Sequence, residues 1–203
     1  MVLLSDGGEE RGLVYLSDAY RHNDANRPFR PSGVVADRVP RDGGGGAFVL
    51  FAAERSIAAR GAVAWRHPRV VRLVLHSDGS EIAGARRQFG PDPRLEEPQD
   101  LCLADAPDGG GRRLLVSDTR LHVVLVLDAA TLVLLCVFGG GGSGAPLVLD
   151  TPCGLASHGA EVFVAEEGAH RLSVFSCGPD RAAAAAALAR GGTLATAGGG
   201  ASD

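Results

Sequence analysis

Lysine is absent from this 203-residue chain: all 20 of its basic residues are arginine. Isoleucine and asparagine occur twice each, and tryptophan and methionine once, whereas alanine (31) and glycine (29) abound. This profile points to a G/C-rich coding bias, so arginine abundance carries little weight as a sign of nucleic-acid binding. A formal net charge of −4 and a sequence pI of about 5.9 argue against a broad phosphate-binding surface, and no DNA partner is expected. Long apolar runs are also lacking. Ala47–Ala53 and Leu132–Phe138, the longest strongly apolar runs, have seven residues each, against the ~20 that a membrane span requires. The start, MVLLSDGGEE, has no basic region and no extended apolar stretch, so no secretory signal is expected. The four cysteines (Cys102, Cys136, Cys153, Cys177) form no C-x-x-C pair and are expected as buried or free thiols. These absences together predict a cytoplasmic protein without membrane contacts.

What is present is a repeat of about 48 residues. Phe89-Gly90 recurs as Phe138-Gly139, Asp118 as Glu166, His122 as His170, and Leu127 as Phe175, at offsets of 49, 48, 48 and 48. Within a unit, short Val- and Leu-rich runs alternate with turn residues. They are Leu101–Ala104, Leu114–Ser117, Val123–Leu127 and Val133–Phe138, and they read as strands. Four strands per unit is the pattern of a β-propeller blade. The next unit runs through Gly154–Ser157, Glu161–Ala165, Arg171–Phe175 and Thr193–Ala197, with the tract Ala182–Ala187 inserted before its last strand. Upstream, Val34–Asp37, Phe48–Ala52, Val70–Leu75 and Ile82–Phe89 supply a unit interrupted by an insertion, Arg55–Arg69. Val2–Ser5 and Leu13–Ser17 supply half of another. The fold expected is therefore all-β, with about four four-stranded antiparallel blades in an incomplete or degenerate ring. Residues 1–27 would form a truncated blade, 28–90 a blade with a loop insertion, 91–140 a blade, and 141–200 a blade with an Ala-rich insertion. Residues 179–203 are Ala/Gly-rich and of low complexity.

The order of markers resembles the NHL-repeat family of β-propellers: a Pro, a strand ending in Asp, a second strand ending in an acid, a His, a third strand, then Phe-Gly. Here it reads Pro98, Asp105, LLVSDTRLHVVLVLD and Phe138-Gly139, then Pro152 and VFVAEEGAHRLSVF. The chain departs from that pattern in having Glu at 166 and no Asn before the His. The resemblance implies a six-bladed, TolB-like ring, of which this length supplies about four blades. It also implies a scaffold that binds other molecules through its loops, in some members behind a zinc-binding ubiquitin-ligase region and in others on RNA.

Two sets of residues stand out. Acid–His pairs four apart recur at Asp18/His22, Asp118/His122 and Glu166/His170. A carboxylate at a strand exit can accept the backbone N–H groups of the turn that follows. A motif that recurs in every unit suits architecture better than catalysis, so these six residues are expected to be structural. The insertion instead gathers Arg55, Arg60, Arg66 and Arg69 around the single Trp65, with His67 beside it. Trp and Arg anchor interfaces, and the same pair can stack on and neutralise single-stranded RNA. No catalytic motif, phosphate loop or metal-ligand spacing is visible, so no cofactor or metal is expected. The leading expectation is a non-enzymatic scaffold that contacts a protein partner through Arg55, Arg60, Trp65, Arg66, His67 and Arg69, with single-stranded RNA as a second class of partner. The competing reading, a metal-dependent hydrolase or lyase on a six-bladed propeller, rests on fold analogy alone.

Overall fold

The computed structural model describes residues 2–4, 10–13, 29–39, 47–56, 68–90, 92–106, 109–140, 148–159 and 161–176. Every regular element among them is a β-strand, and every pairing is antiparallel. β1 (Val2–Leu4) and β2 (Glu10–Leu13) form a two-stranded ribbon. The next four strands, β3 (Phe29–Val39), β4 (Ala47–Ser56), β5 (Arg69–His76) and β6 (Arg87–Phe89), make one meander. A second is built from β7 (Pro98–Asp105), β8 (Arg112–Asp118), β9 (Val123–Asp128) and β10 (Leu134–Gly139). The third has three strands, β11 (Pro152–His158), β12 (Glu161–Glu166) and β13 (Arg171–Ser176). In each sheet the spatial order of strands is their chain order.

The central strands of the first two sheets read as unbroken apolar runs because both of their faces are buried. On β4, Val49, Phe51 and Ala53 join Leu101, Leu103, Leu114, Val116, Leu125 and Leu127 of the second sheet in one core. The alternate residues Leu50 and Ala52, with Val71, Leu73 and Leu75, form a separate cluster on the opposite face. The second sheet divides in the same way. Cys102, Ala104, Leu115 and Val124 meet Val162 and Val164 of the third sheet in a further core. Each large aliphatic buried here contributes about 2 kcal/mol.

The first strands of the three sheets lie next to one another. Ser32 Oγ on β3 donates to the Pro98 carbonyl at 2.6 Å. Ser157 Oγ on β11 donates to the Leu103 carbonyl at 2.6 Å, and Leu155 N–H to Asp100 Oδ2 at 2.9 Å. β3 and β7 come so close that a Cβ on Gly33 would sit 2.8 Å from the Asp100 Cα.

Several expectations change at element ends. The second strand of the N-terminal ribbon is Glu10–Leu13, and of the expected Leu13–Ser17 the residues after Leu13 lie outside the described ones. The expected strand Ile82–Phe89 shrinks to Arg87–Phe89. Gly79 and Gly84 adopt φ of 85° and 74°, and the chain turns there, with the Ile82 N–H donating to the Val74 carbonyl at 2.8 Å. The insertion is shorter than Arg55–Arg69. β4 continues to Ser56 and β5 starts at Arg69, which puts both of those arginines in the ladder. The third sheet has three strands rather than four among the described residues, and Thr193–Ala197 and Ala182–Ala187 lie outside them. The described sheets do not close into a ring.

Candidate functional site

The site is organised by one structural unit repeated in all three sheets. A proline on the first strand pairs with an acid at or near the end of the second, and the acid pairs with the residue that opens the third. The triplets are Pro31/Glu54/Arg69, Pro98/Asp118/Val123 and Pro152/Glu166/Arg171. All three acids are buried.

Asp118 is saturated by the backbone. Its Oδ1 accepts N–H groups of Arg120 and Leu121 in the following turn, at 3.1 and 3.0 Å. Its Oδ2 accepts those of Glu96 and Glu97, which lead into β7, at 2.6 and 2.9 Å. Glu166 is held by Arg171 Nε at 2.8 Å, by the Asp150 N–H at 2.7 Å and by a short bond from the Ser173 hydroxyl. Burial pushes its carboxyl up, but these bonds outweigh that effect and hold it below the usual glutamate range. Arg171 is raised in return by its bond to Glu166.

Glu54 occupies the same place, although the acid–His spacing does not mark it. Its Oε2 takes Arg69 Nε at 2.5 Å, while Oε1 has no hydrogen-bond partner among the described residues. The insertion at 57–68 replaces the four-residue turn that separates acid from third strand in the other two sheets, so the spacing is lost. The remaining sequence signal is the apolar run Phe48–Ala53 ending in an acid.

The repeat histidines are turn residues. His122 and His170 close their turns with φ of 58° and 50°, a left-handed conformation in which His is enriched among non-glycine residues. His122 Nδ1 accepts the Thr151 N–H at 2.9 Å, tying the second sheet to the start of the third. The Phe-Gly marker has an equally local cause. A Cβ at Gly90 would lie 2.7 Å from the Pro68 carbonyl oxygen, and one at Gly139 would lie 2.7 Å from that of His122. In both sheets the glycine lies against the residue that precedes the third strand. Asp18 and His22 lie outside the described residues.

The residues that follow the buried acids, Arg55, Thr119 and Glu167, converge on one cleft of about 350 Å³. Residues flanking the first-strand prolines complete its wall: Glu97 and Gln99 around Pro98, and Thr151 and Cys153 around Pro152, with Arg120 at the side. The wall is built by repetition. Thr119 N–H donates to the Glu97 carbonyl at 3.1 Å, and the Glu167 N–H to the Thr151 carbonyl at 3.0 Å. Arg55 reaches from the first sheet to Glu97 Oε1 at 3.2 Å, and Arg120 Nε pairs with Glu96 at 2.7 Å. The cleft thus offers two partly neutralised guanidinium groups, two carboxylates, an amide, two hydroxyls and a thiol. That is a surface for hydrogen-bonded recognition at mixed charge. The Cys153 thiol donates to the Ala165 carbonyl at 3.5 Å.

Of the residues expected to bind a partner, Arg55 alone lines this cleft. Arg69 is committed to Glu54, and Arg60, Trp65, Arg66 and His67 lie outside the described residues. The cleft's other wall residues carry no motif. Each is polar in a polar segment, and only the stacking of three sheets brings them together. Among the described residues, no group of three or more His, Cys, Asp or Glu could hold a metal ion. No helix among them is long and apolar enough to cross a membrane. No protein-family model matches the chain, and no curated protein is similar to it.

Proposed function

We propose that this chain is an NHL-like β-propeller module, a non-enzymatic scaffold that binds a protein partner at the end of the sheets where the second strands finish. Three consecutive meanders with adjacent first strands support the propeller reading. The observation that carries the binding reading is the convergence of Arg55, Thr119 and Glu167, three equivalent positions, on one polar cleft. The chain leaves β4 and returns to β5 at this end. Loops presented from a rigid scaffold are the usual carriers of recognition. A protein is favoured over single-stranded RNA because Arg55 and Arg69, half of the insertion's arginine cluster, are neutralised by Glu97 and Glu54.

A displayed random-peptide library selected on the full chain tests this. Peptides recovered on the wild type should lose at least tenfold in affinity, about 1.4 kcal/mol, with Arg55→Glu or Thr119→Arg. Peptides whose binding ignores both substitutions would remove the cleft from the reading. Affinity for a labelled single-stranded RNA that falls with added salt and with Trp65→Ala would replace the protein partner with RNA.

A further inference from the structure

One row of the first meander differs in kind from its counterparts. Three residues before the buried acid, Phe51 pairs with Arg72 on β5, and Arg72 pairs in turn with Arg87 on β6. The same row reads Leu115, Val126 and Cys136 in the second sheet, and Phe163 and Val174 in the third. A meander of this kind therefore accepts an apolar side chain at the place of Arg72, and the fold does not call for a charge there. Like charges directly opposite each other on a ladder are destabilising.

No acid among the described residues answers either guanidinium. Arg72 shares its face of β5 with Val70 and Val74, which pack into the core between the first two sheets. Its Nε is buried without a hydrogen-bond partner, and its Nη1 makes one long bond, 3.4 Å, to the Ala85 carbonyl. Burial, and then the positive charge of Arg87, push it below the usual arginine range. Arg87 Nη1 donates to the carbonyls of Gly84 and Arg86, at 3.3 and 3.0 Å. The acids of the β5–β6 connection are engaged elsewhere. Glu81 takes Arg86 Nε and Nη2 at 3.0 and 2.7 Å, and Asp78 takes the Ser80 N–H and hydroxyl.

We propose that Arg72 and Arg87 form a binding site for a phosphate dianion, free or as a monoester. Guanidinium groups present parallel N–H donors that match phosphate oxygens, and a double negative charge answers two positive ones. A single carboxylate would leave one of them uncompensated. Of the Arg72 nitrogens, Nε alone is both buried and unpartnered, and Arg87 is exposed, so an ion can reach the outer edge of both groups. The apolar wall of Phe51, Val70 and Val74 lowers the local dielectric around Arg72, which strengthens its attraction for an anion. A buried polar atom left without a partner calls for an explanation such as a bound ion. The pair shares no residue with the cleft, and the proposal is independent of it.

Calorimetric titration of the full chain with inorganic phosphate at constant ionic strength tests it, with the arginine Nε–H resonances followed in parallel. Phosphate should bind at millimolar concentration or below and shift the Arg72 signal, and acetate should bind at least tenfold more weakly. Arg72→Val, which installs the residue found in the other two sheets, should weaken phosphate binding at least tenfold while keeping the thermal midpoint at or above that of the wild type. Arg87→Gln, at an exposed position, should weaken binding as well. Arg94→Gln, at an exposed arginine paired with Asp92, should leave it intact. O-phosphoserine bound more tightly than phosphate assigns the site to monoesters, and the reverse order assigns it to the free ion. No binding at millimolar phosphate, an affinity unmoved by Arg72→Val and Arg87→Gln, an equal loss with Arg94→Gln, or acetate bound as tightly as phosphate would each overturn the proposal.

Discussion

Glu54 and Arg69 face each other across β4 and β5, with Nε 2.5 Å from Oε2, the carboxylate fully buried and its second oxygen without a partner among the described residues. A buried ion pair adds little over an apolar pair, but removing one member strands a charge. Arg69→Ala should therefore cost about 3–5 kcal/mol, read as a lower urea midpoint. Glu54→Leu together with Arg69→Met should cost far less than the single change. Equal losses in the single and double variants would show that the pair does not act as a unit.

The turn histidines separate architecture from chemistry. His170 holds φ of 50° and its side chain is exposed. His170→Gly should keep thermal stability within about 1 kcal/mol of wild type, since glycine accepts that conformation freely. His170→Val should lose about 1–2 kcal/mol to left-handed strain. His122→Gly should be costlier than His170→Gly, because it also strands the Thr151 N–H that Nδ1 now accepts. A His170→Val variant as stable as wild type would disprove the assigned backbone role.

At Gly33 the backbones of the first and second sheets lie close together. A methyl group there would meet the Asp100 backbone at 2.8 Å, and backbone cannot rotate away. Gly33→Ala should cost about 1–3 kcal/mol through overpacking. Gly109→Ala has open space around its Cβ, so at φ of 70° it should show only the smaller conformational penalty. Chemical denaturation of the two variants side by side distinguishes clash from backbone strain.

Acid should destabilise the protein partly through Glu166. Its carboxyl is depressed in the folded state, so its contribution is complete above the ordinary glutamate value of about 4.3 and is lost as the pH falls through the lower folded value. Asp128, held down by its bonds to Thr131 and the backbone of its turn, acts in the same direction. The stability gap between wild type and Glu166→Gln, measured by urea titration, should be widest at neutral pH and narrow on acidification below about pH 4. A gap that stays constant to low pH would count against the assigned ion pair.

Asp118 and Glu166 were legible as one repeated position because their turns, residues 119–122 and 167–170, have equal length. Glu54 was not, because its third-strand partner Arg69 comes fifteen residues later instead of five. Strand cores were readable from Val and Leu runs. Their ends were not, because a ladder stops where the partner strand or a positive-φ residue stops it. The Ile82 segment turns at Gly84 although its composition would suit a strand.

Period, apolar alternation and turn residues are local properties, and they sufficed to dictate antiparallel meanders with Asp118 and Glu166 at the exits of their second strands. Which faces of those meanders are covered, and that Arg55, Thr119 and Glu167 share a cleft while Leu172 is exposed to solvent, depends on packing between sheets. Packing of this kind brings residues more than a hundred positions apart to one cleft, as with Arg55 and Glu167, and no spacing along the chain records it.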